Sequence, residues 1–133
     1  MIISICNFKG GVAKTCSTLN IGAGLAVKDK KVLLLDMDPQ YNLTTSLGVH
    51  EVESSIYESL IHRKPIIRSQ INDNLELIPS CIELNKAQIE LASEFKREDK
   101  LTELLKPLKK EYDYILIDCP PSLGLLTINS LVA

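Results

Sequence analysis

Residues 7–16 read Asn-Phe-Lys-Gly-Gly-Val-Ala-Lys-Thr-Cys (NFKGGVAKTC). An apolar run, Met1-Ile2-Ile3-Ser4-Ile5-Cys6, leads directly into them, and small and apolar residues at helical spacing follow from Lys14 to Lys28. A strand that empties into a Gly-rich loop and then a helix makes a phosphate cradle. Glycines let the backbone turn so that successive N–H groups face one anion, and the helix start adds its positive end. In the usual pattern, G-x-x-x-x-G-K-[ST], the lysine reaches the β- and γ-phosphates and the hydroxyl ligates Mg²⁺. Here those residues are Lys14 and Thr15, but both pattern glycines are replaced, the first by Phe8 and the second by Ala13.

Outward from this stretch, strand-like and helix-like segments alternate. Lys31 to Asp36, Leu75 to Pro79 and Tyr114 to Asp118 read as three further strands. Ser54 to Ile61, Ile82 to Leu91, Arg97 to Lys110 and Leu123 to Val132 read as helices, and Met37 to Gly48 as loop. The strands are apolar throughout rather than alternating, which predicts burial on both faces. With helices between them, the economical arrangement is a mainly parallel sheet with right-handed crossovers: an α/β fold of three layers, α/β/α.

The chain has 133 residues, 45% hydrophobic and 24% charged, with a formal net charge of -2. That suits one domain with a real core. It gives no bulk basicity for nucleic acid, and the absence of Trp argues against base-stacking platforms. No apolar run is long enough to span a membrane, and no leader is visible, so the cytoplasm is the expected location. The four cysteines, Cys6, Cys16, Cys81 and Cys119, form no CxxC pair. Free thiols are therefore expected rather than zinc or a disulfide framework.

Lys9-Gly10-Gly11-Val12-Ala13-Lys14-Thr15 matches K-G-G-x-x-K-[ST], the deviant Walker A motif, and so resembles the ParA/MinD family of P-loop ATPases. Two further stretches are similar to that family. LLLDMDPQYN, Leu33 to Asn42, resembles its switch I, and YDYILIDCPPS, Tyr112 to Ser122, its Walker B and switch II; together they resemble the ParA/Soj branch. The resemblance implies ATP and Mg²⁺ as cofactors. It implies nucleotide contacts from Lys9, Gly10, Gly11, Val12, Ala13, Lys14, Thr15 and Cys16. Thr15 and Asp118 would serve the metal, and Asp38 would position the attacking water. Lys9, with Lys14 the second cation of the site, would reach the nucleotide of a partner in an ATP-dependent homodimer.

Residues 1–133 would then be a single deviant-Walker-A domain lacking the C-terminal part of the usual fold. Nonspecific DNA and a ParB-like activator would act through that part. The implied function is an ATP-hydrolysing partition protein for plasmid or chromosome. The alternatives are a MinD-like membrane-associated ATPase of division-site placement and a nucleotide-binding fragment without turnover. An electron-transfer role like that of the nitrogenase iron protein is disfavoured by the setting of Cys119.

Other residues carry plainer readings. Asp36 reads equally as part of the site or as a structural carboxylate. Gly22-Ala23-Gly24 with Val27 is similar to part of a dinucleotide loop, but it lies inside a helix and reads as close packing. Cys16 reads as a small buried residue, Cys6 and Cys119 as packing at the ends of neighbouring strands, and His50, His62 and Glu94 to Lys100 as solvated.

Overall fold

A computed structural model describes residues 1–133. Five strands form one sheet in the order β1-β5-β2-β4-β3: β1 (Ile2–Ile5), β2 (Val32–Asp36), β3 (Ser69–Asn72), β4 (Leu75–Ile78) and β5 (Tyr114–Asp118). The pairs β1/β5, β5/β2 and β2/β4 are parallel, and β3 joins β4 antiparallel. The helices are α1 (Lys14–Ala26), α2 (Asn42–Ser46), α3 (Ile56–His62), α4 (Leu84–Ala92), α5 (Lys100–Leu105) and α6 (Leu125–Val132).

The apolar strands do what two-sided burial requires. Along β2 and β5, alternate residues enter different cores. Leu33, Leu35, Ile115 and Ile117 pack with Ile56, Leu84, Leu91, Leu101, Leu105 and Leu126 of α3 to α6. On the other face Val32, Leu34 and Leu116 pack with Ala26 of α1 and Leu43 of α2. This is the three-layer α/β/α architecture. Each fully buried leucine contributes about 2 kcal/mol of transfer free energy, so the central strands dominate the stability. Gly22 is where α1 crosses the sheet: a Cβ there would sit 2.6 Å from Leu34 Cδ2. Close helix packing is therefore the role of that glycine, while Gly24 faces open space.

The differences from the expectations above are local. β3 is SQIN, short, polar and on an edge, so its pairing leaves no apolar signature. The loop after β2 contains a single helical turn and a half, α2. The expected helix 97–110 is α5 followed by a separate 3-10 helix, Leu108–Lys110. Pro107, between them, has no N–H to continue the ladder. α3 starts where a capping box allows: Glu58 Oε2 accepts the Ser55 N–H at 2.7 Å, and Ser55 Oγ accepts the Tyr57 N–H at 3.2 Å. No helix is long and apolar enough to cross a membrane.

Candidate nucleotide site

Three parallel strands end level with one another. Ile5, Asp118 and Asp36 are register partners across β1, β5 and β2. The loop 7–13, the Asp118 carboxylate and the Asp36-Met37-Asp38 turn therefore open on the same sheet edge, the carboxyl ends, where ligands bind in open α/β sheets.

The loop is built from backbone that few residues tolerate. Gly11 has φ +69, with open space where a side chain would begin, and Gly10 likewise faces open space. Asn7 Oδ1 accepts the Lys9 N–H at 2.9 Å and starts the turn. Ala13, immediately before α1, is left-handed at φ 63, ψ 25. Its methyl group, the departure from glycine seen in the sequence, thus carries a conformational cost as well as permitting a helix start. A left-handed L-residue costs roughly 1–2 kcal/mol, part of which glycine's greater chain entropy offsets. Ala13→Gly is expected to stabilise the nucleotide-free chain by about 0.5–1 kcal/mol, a gain of a few degrees in Tm measured by thermal denaturation. No change or a loss in Tm would contradict the strain.

Asp118 is the centre of the site's electrostatics. It is 1% exposed. Its Oδ1 accepts the Thr18 hydroxyl at 3.5 Å, while Oδ2 is buried with no partner. Burial pushes its carboxyl above the ordinary value; the Thr15 hydroxyl, Lys14 and Thr18 pull it back, and the charge of Asp38 adds to the rise. The one Thr18 hydroxyl proton is shared with the nearer Lys14 carbonyl at 3.0 Å, which sets the first turn of α1 beside the acid. Lys14 and Thr15 are half-buried, whereas Lys9, Gly10, Gly11, Val12 and Cys16 are exposed on the outer side of the loop. Cys16 is thus not the small buried residue the sequence suggested: the first turn of α1 turns it outward, away from the sheet.

Asp36 is a structural carboxylate. It is wholly buried and accepts three bonds: the Thr44 N–H at 2.9 Å, the Thr44 hydroxyl at 2.7 Å and the Asp38 N–H at 3.1 Å. It ties α2 and the Asp38 turn to the end of β2. The turn is closed further by Ser80, whose hydroxyl donates to the Asp38 carbonyl at 2.8 Å and whose N–H donates to Thr44 Oγ1 at 3.0 Å. The Asp38 carboxylate accepts the Gln40 N–H at 2.9 Å. The sequence by itself does not single out Thr18, Thr44 or Ser80. Of these only Thr18, one helical turn after Lys14, is findable there, because residues four apart share a helix face.

Burial, against the pull of its three donors, pushes the Asp36 carboxyl from 3.8 up to about 7. Because the folded value is raised, its contribution to stability is present below the ordinary value and is lost as pH rises through about 7. The nucleotide-free chain is expected to lose Tm over the range from about pH 4 to about pH 8 more steeply than Asp36→Asn, at constant ionic strength. Equal slopes would contradict a neutral buried acid at the low end.

A family model, AAA_31, described as an AAA domain, matches residues 1–133. The sporulation initiation inhibitor protein Soj of Bacillus subtilis (strain 168) is 49% identical over 137 residues, covering 99% of this chain and 54% of Soj. The chromosome partitioning protein ParA of Myxococcus xanthus (strain DK1622) is 44% identical, covering 99% of this chain and 48% of ParA. The chain thus spans about half the length of the curated relatives it matches. Among solved structures, cobyrinic acid a,c-diamide synthase from Mycobacterium smegmatis, with bound ATP analog and magnesium, superposes with a TM-score of 0.95 at 38% identity, covering 99% of this chain and 56% of the synthase. With the match running over every residue, the loop and both acidic strand ends included, this chain belongs to the AAA-domain family of P-loop ATPases, in its ParA/Soj-like branch.

Proposed function

We propose that the chain binds Mg-ATP at the carboxyl ends of β1, β5 and β2 and hydrolyses it as part of a partition ATPase that dimerises on ATP. The observation that carries the reading is Asp118 Oδ2, buried without a partner beside Thr15 and Lys14 at the root of an open Gly-Gly loop. An orphaned carboxylate oxygen is costly unless a ligand satisfies it. A hydrated divalent cation does so, and the residues present fit one. Thr15 and Asp118 would hold Mg²⁺ through hydroxyl and hydration shell, as a hard cation that keeps its waters prefers.

The N–H groups of Gly10 to Cys16 would cradle the phosphates, with Lys14 against them. Bound there, Mg²⁺ supplies neutralisation of phosphate charge. The chain's own residues do the rest by positioning. Lys14 meets the charge that develops on the phosphoryl oxygens. Asp38, held by Asp36 and Ser80, accepts a hydrogen bond from the attacking water and orients it. The Asp36–Thr44–Ser80 connections keep that turn from drifting. The name of the Myxococcus xanthus relative, a chromosome partitioning protein, supports segregation of DNA as the task; the resemblance of the motifs adds DNA and a ParB-like protein as the proposed partners. That name gives a chromosome as the cargo, and a plasmid is the alternative.

Lys9 tests the dimer. It is exposed and makes no ion pair within the chain, so its amine is free to reach the nucleotide of a second copy. Lys9→Ala should bind ATP close to wild-type affinity yet fail to dimerise with ATP in analytical ultracentrifugation. A normal ATP-induced dimer in the variant would remove the trans-acting role, and absence of Mg-dependent ATP binding by the wild type in calorimetry would remove the whole reading.

A further inference from the structure

The nucleotide reading uses neither Cys6 nor Cys119. Cys6 follows β1 and Cys119 follows β5, each one residue beyond the register pair Ile5 and Asp118. Parallel partners project to the same side, and the Cys6 thiol donates to Cys119 Sγ at 2.8 Å. Neighbouring strands lie about 4.8 Å apart, inside the Cα separation of roughly 4.4–6.8 Å that a disulfide spans. The backbone between them is already tied, the Cys119 N–H donating to the Ile5 carbonyl at 3.2 Å. Cys119 is wholly buried, whereas Cys6 is partly open to solvent. The pair thus joins an accessible sulfur to a sheltered one, the arrangement of an attacking and a resolving thiol.

We propose that Cys6 and Cys119 form a reversible disulfide under peroxide, and that this modification weakens nucleotide binding. The Cys6 sulfur attacks one peroxide oxygen and the O–O bond breaks. The departing hydroxide takes the Cys6 proton and leaves as water, so Cys6 becomes a sulfenic acid. The Cys119 sulfur then attacks the Cys6 sulfur: the S–S bond forms, the S–O bond breaks, and hydroxide leaves with the Cys119 proton as a second water. Two thiols and one peroxide give one disulfide and two waters; a small thiol reductant reverses it by exchange.

The effect on the site follows from position and rests on the P-loop reading above. Bond formation fixes the sulfurs at about 2.05 Å, well inside the contact distance of two free thiols. Cys6 immediately precedes the loop 7–13, and Cys119 adjoins Asp118. The contraction shifts the cradle's root relative to the acid. Loss of one charge-assisted hydrogen bond to phosphate corresponds to roughly tenfold in affinity.

The test treats the purified chain with hydrogen peroxide, alkylates the remaining thiols and maps peptides by mass spectrometry, with ATP affinity measured in parallel. A Cys6–Cys119 linked peptide is expected, lost on reduction, with ATP binding about tenfold weaker in the oxidised form and restored by reductant. Cys6→Ala should bind ATP like the reduced wild type and ignore peroxide; Cys119→Ala serves the same purpose if Cys6→Ala folds poorly. No linked peptide, or a linked peptide with unchanged affinity, overturns the proposal. So does a peroxide response that persists in Cys6→Ala, which would point to another thiol such as the exposed Cys16. If the reduced wild type binds no ATP, the P-loop reading and the nucleotide half of this proposal fall together, while the mass alone still decides the disulfide.

Discussion

Lys14→Ala is expected to lose ATP affinity by at least tenfold while keeping its fold. The side chain is half-buried at the first position of α1 and makes no ion pair within the chain. Its amine is therefore free for phosphate, and its removal breaks no internal bridge. The Thr18 bond to the Lys14 backbone carbonyl survives in alanine, and alanine is the best helix former. Hydrogen bonds to charged groups are worth roughly 1.5–3 kcal/mol each, and a partly desolvated ammonium against phosphate belongs at the upper end. The variant also leaves Asp118 without the cation that offsets its burial, so Mg²⁺ dependence should change with it. Calorimetric titration of Mg-ATP, paired with Tm, separates the two effects. Unchanged affinity would mean that the loop 7–13 is not a phosphate cradle.

Asp38→Ala is expected to do the opposite, sparing binding and removing turnover. The backbone of Asp38 is held on both sides, its N–H to Asp36 and its carbonyl by Ser80. Alanine keeps both bonds. What goes is the carboxylate and its bond to the Gln40 N–H, a structural cost of about 1 kcal/mol. Groups that position or deprotonate an attacking water contribute roughly 10²–10⁴ in rate, so single-turnover phosphate release should fall by that order while ATP and Mg²⁺ stay bound. Asp38→Asn provides the control, since its Oδ1 can still accept from Gln40. A loss of the same order in Asn assigns the effect to the negative charge and not to the turn. Phosphate release at the wild-type rate in Asp38→Ala would exclude Asp38 from water positioning.

Much of this is legible in the residues. Runs such as Val32-Leu33-Leu34-Leu35 are apolar at every position, and only a sheet covered on both faces buries them. The order strand, Gly-rich loop, helix is enough to read a phosphate cradle in an α/β fold, because it depends on local backbone chemistry and short spacing; the P-loop family itself came from the resemblance of Lys9 to Thr15 and the two acidic stretches. The helix expected from Ser54 starts within two residues of that position, at Ile56.

What the tertiary structure alone decided depends on contacts between distant segments. Asp36 and Asp38 look alike in LLLDMDPQ, yet one is wholly buried under Thr44 and the other is held at the turn by Ser80, 42 residues away. β3 exists only because β4 offers it an edge; its own four residues carry no periodic signal. Cys16 and Cys119 both read as packing residues in the sequence, but helix phase turns one outward while strand register sets the other 2.8 Å from Cys6. The cost of Ala13 appears only once its φ is known. Local chemistry determined which elements form and where phosphate would sit. Register, burial and the meeting of residues far apart in the chain decided what each acid and thiol there can do, because a side chain's charge and reactivity depend on its surroundings.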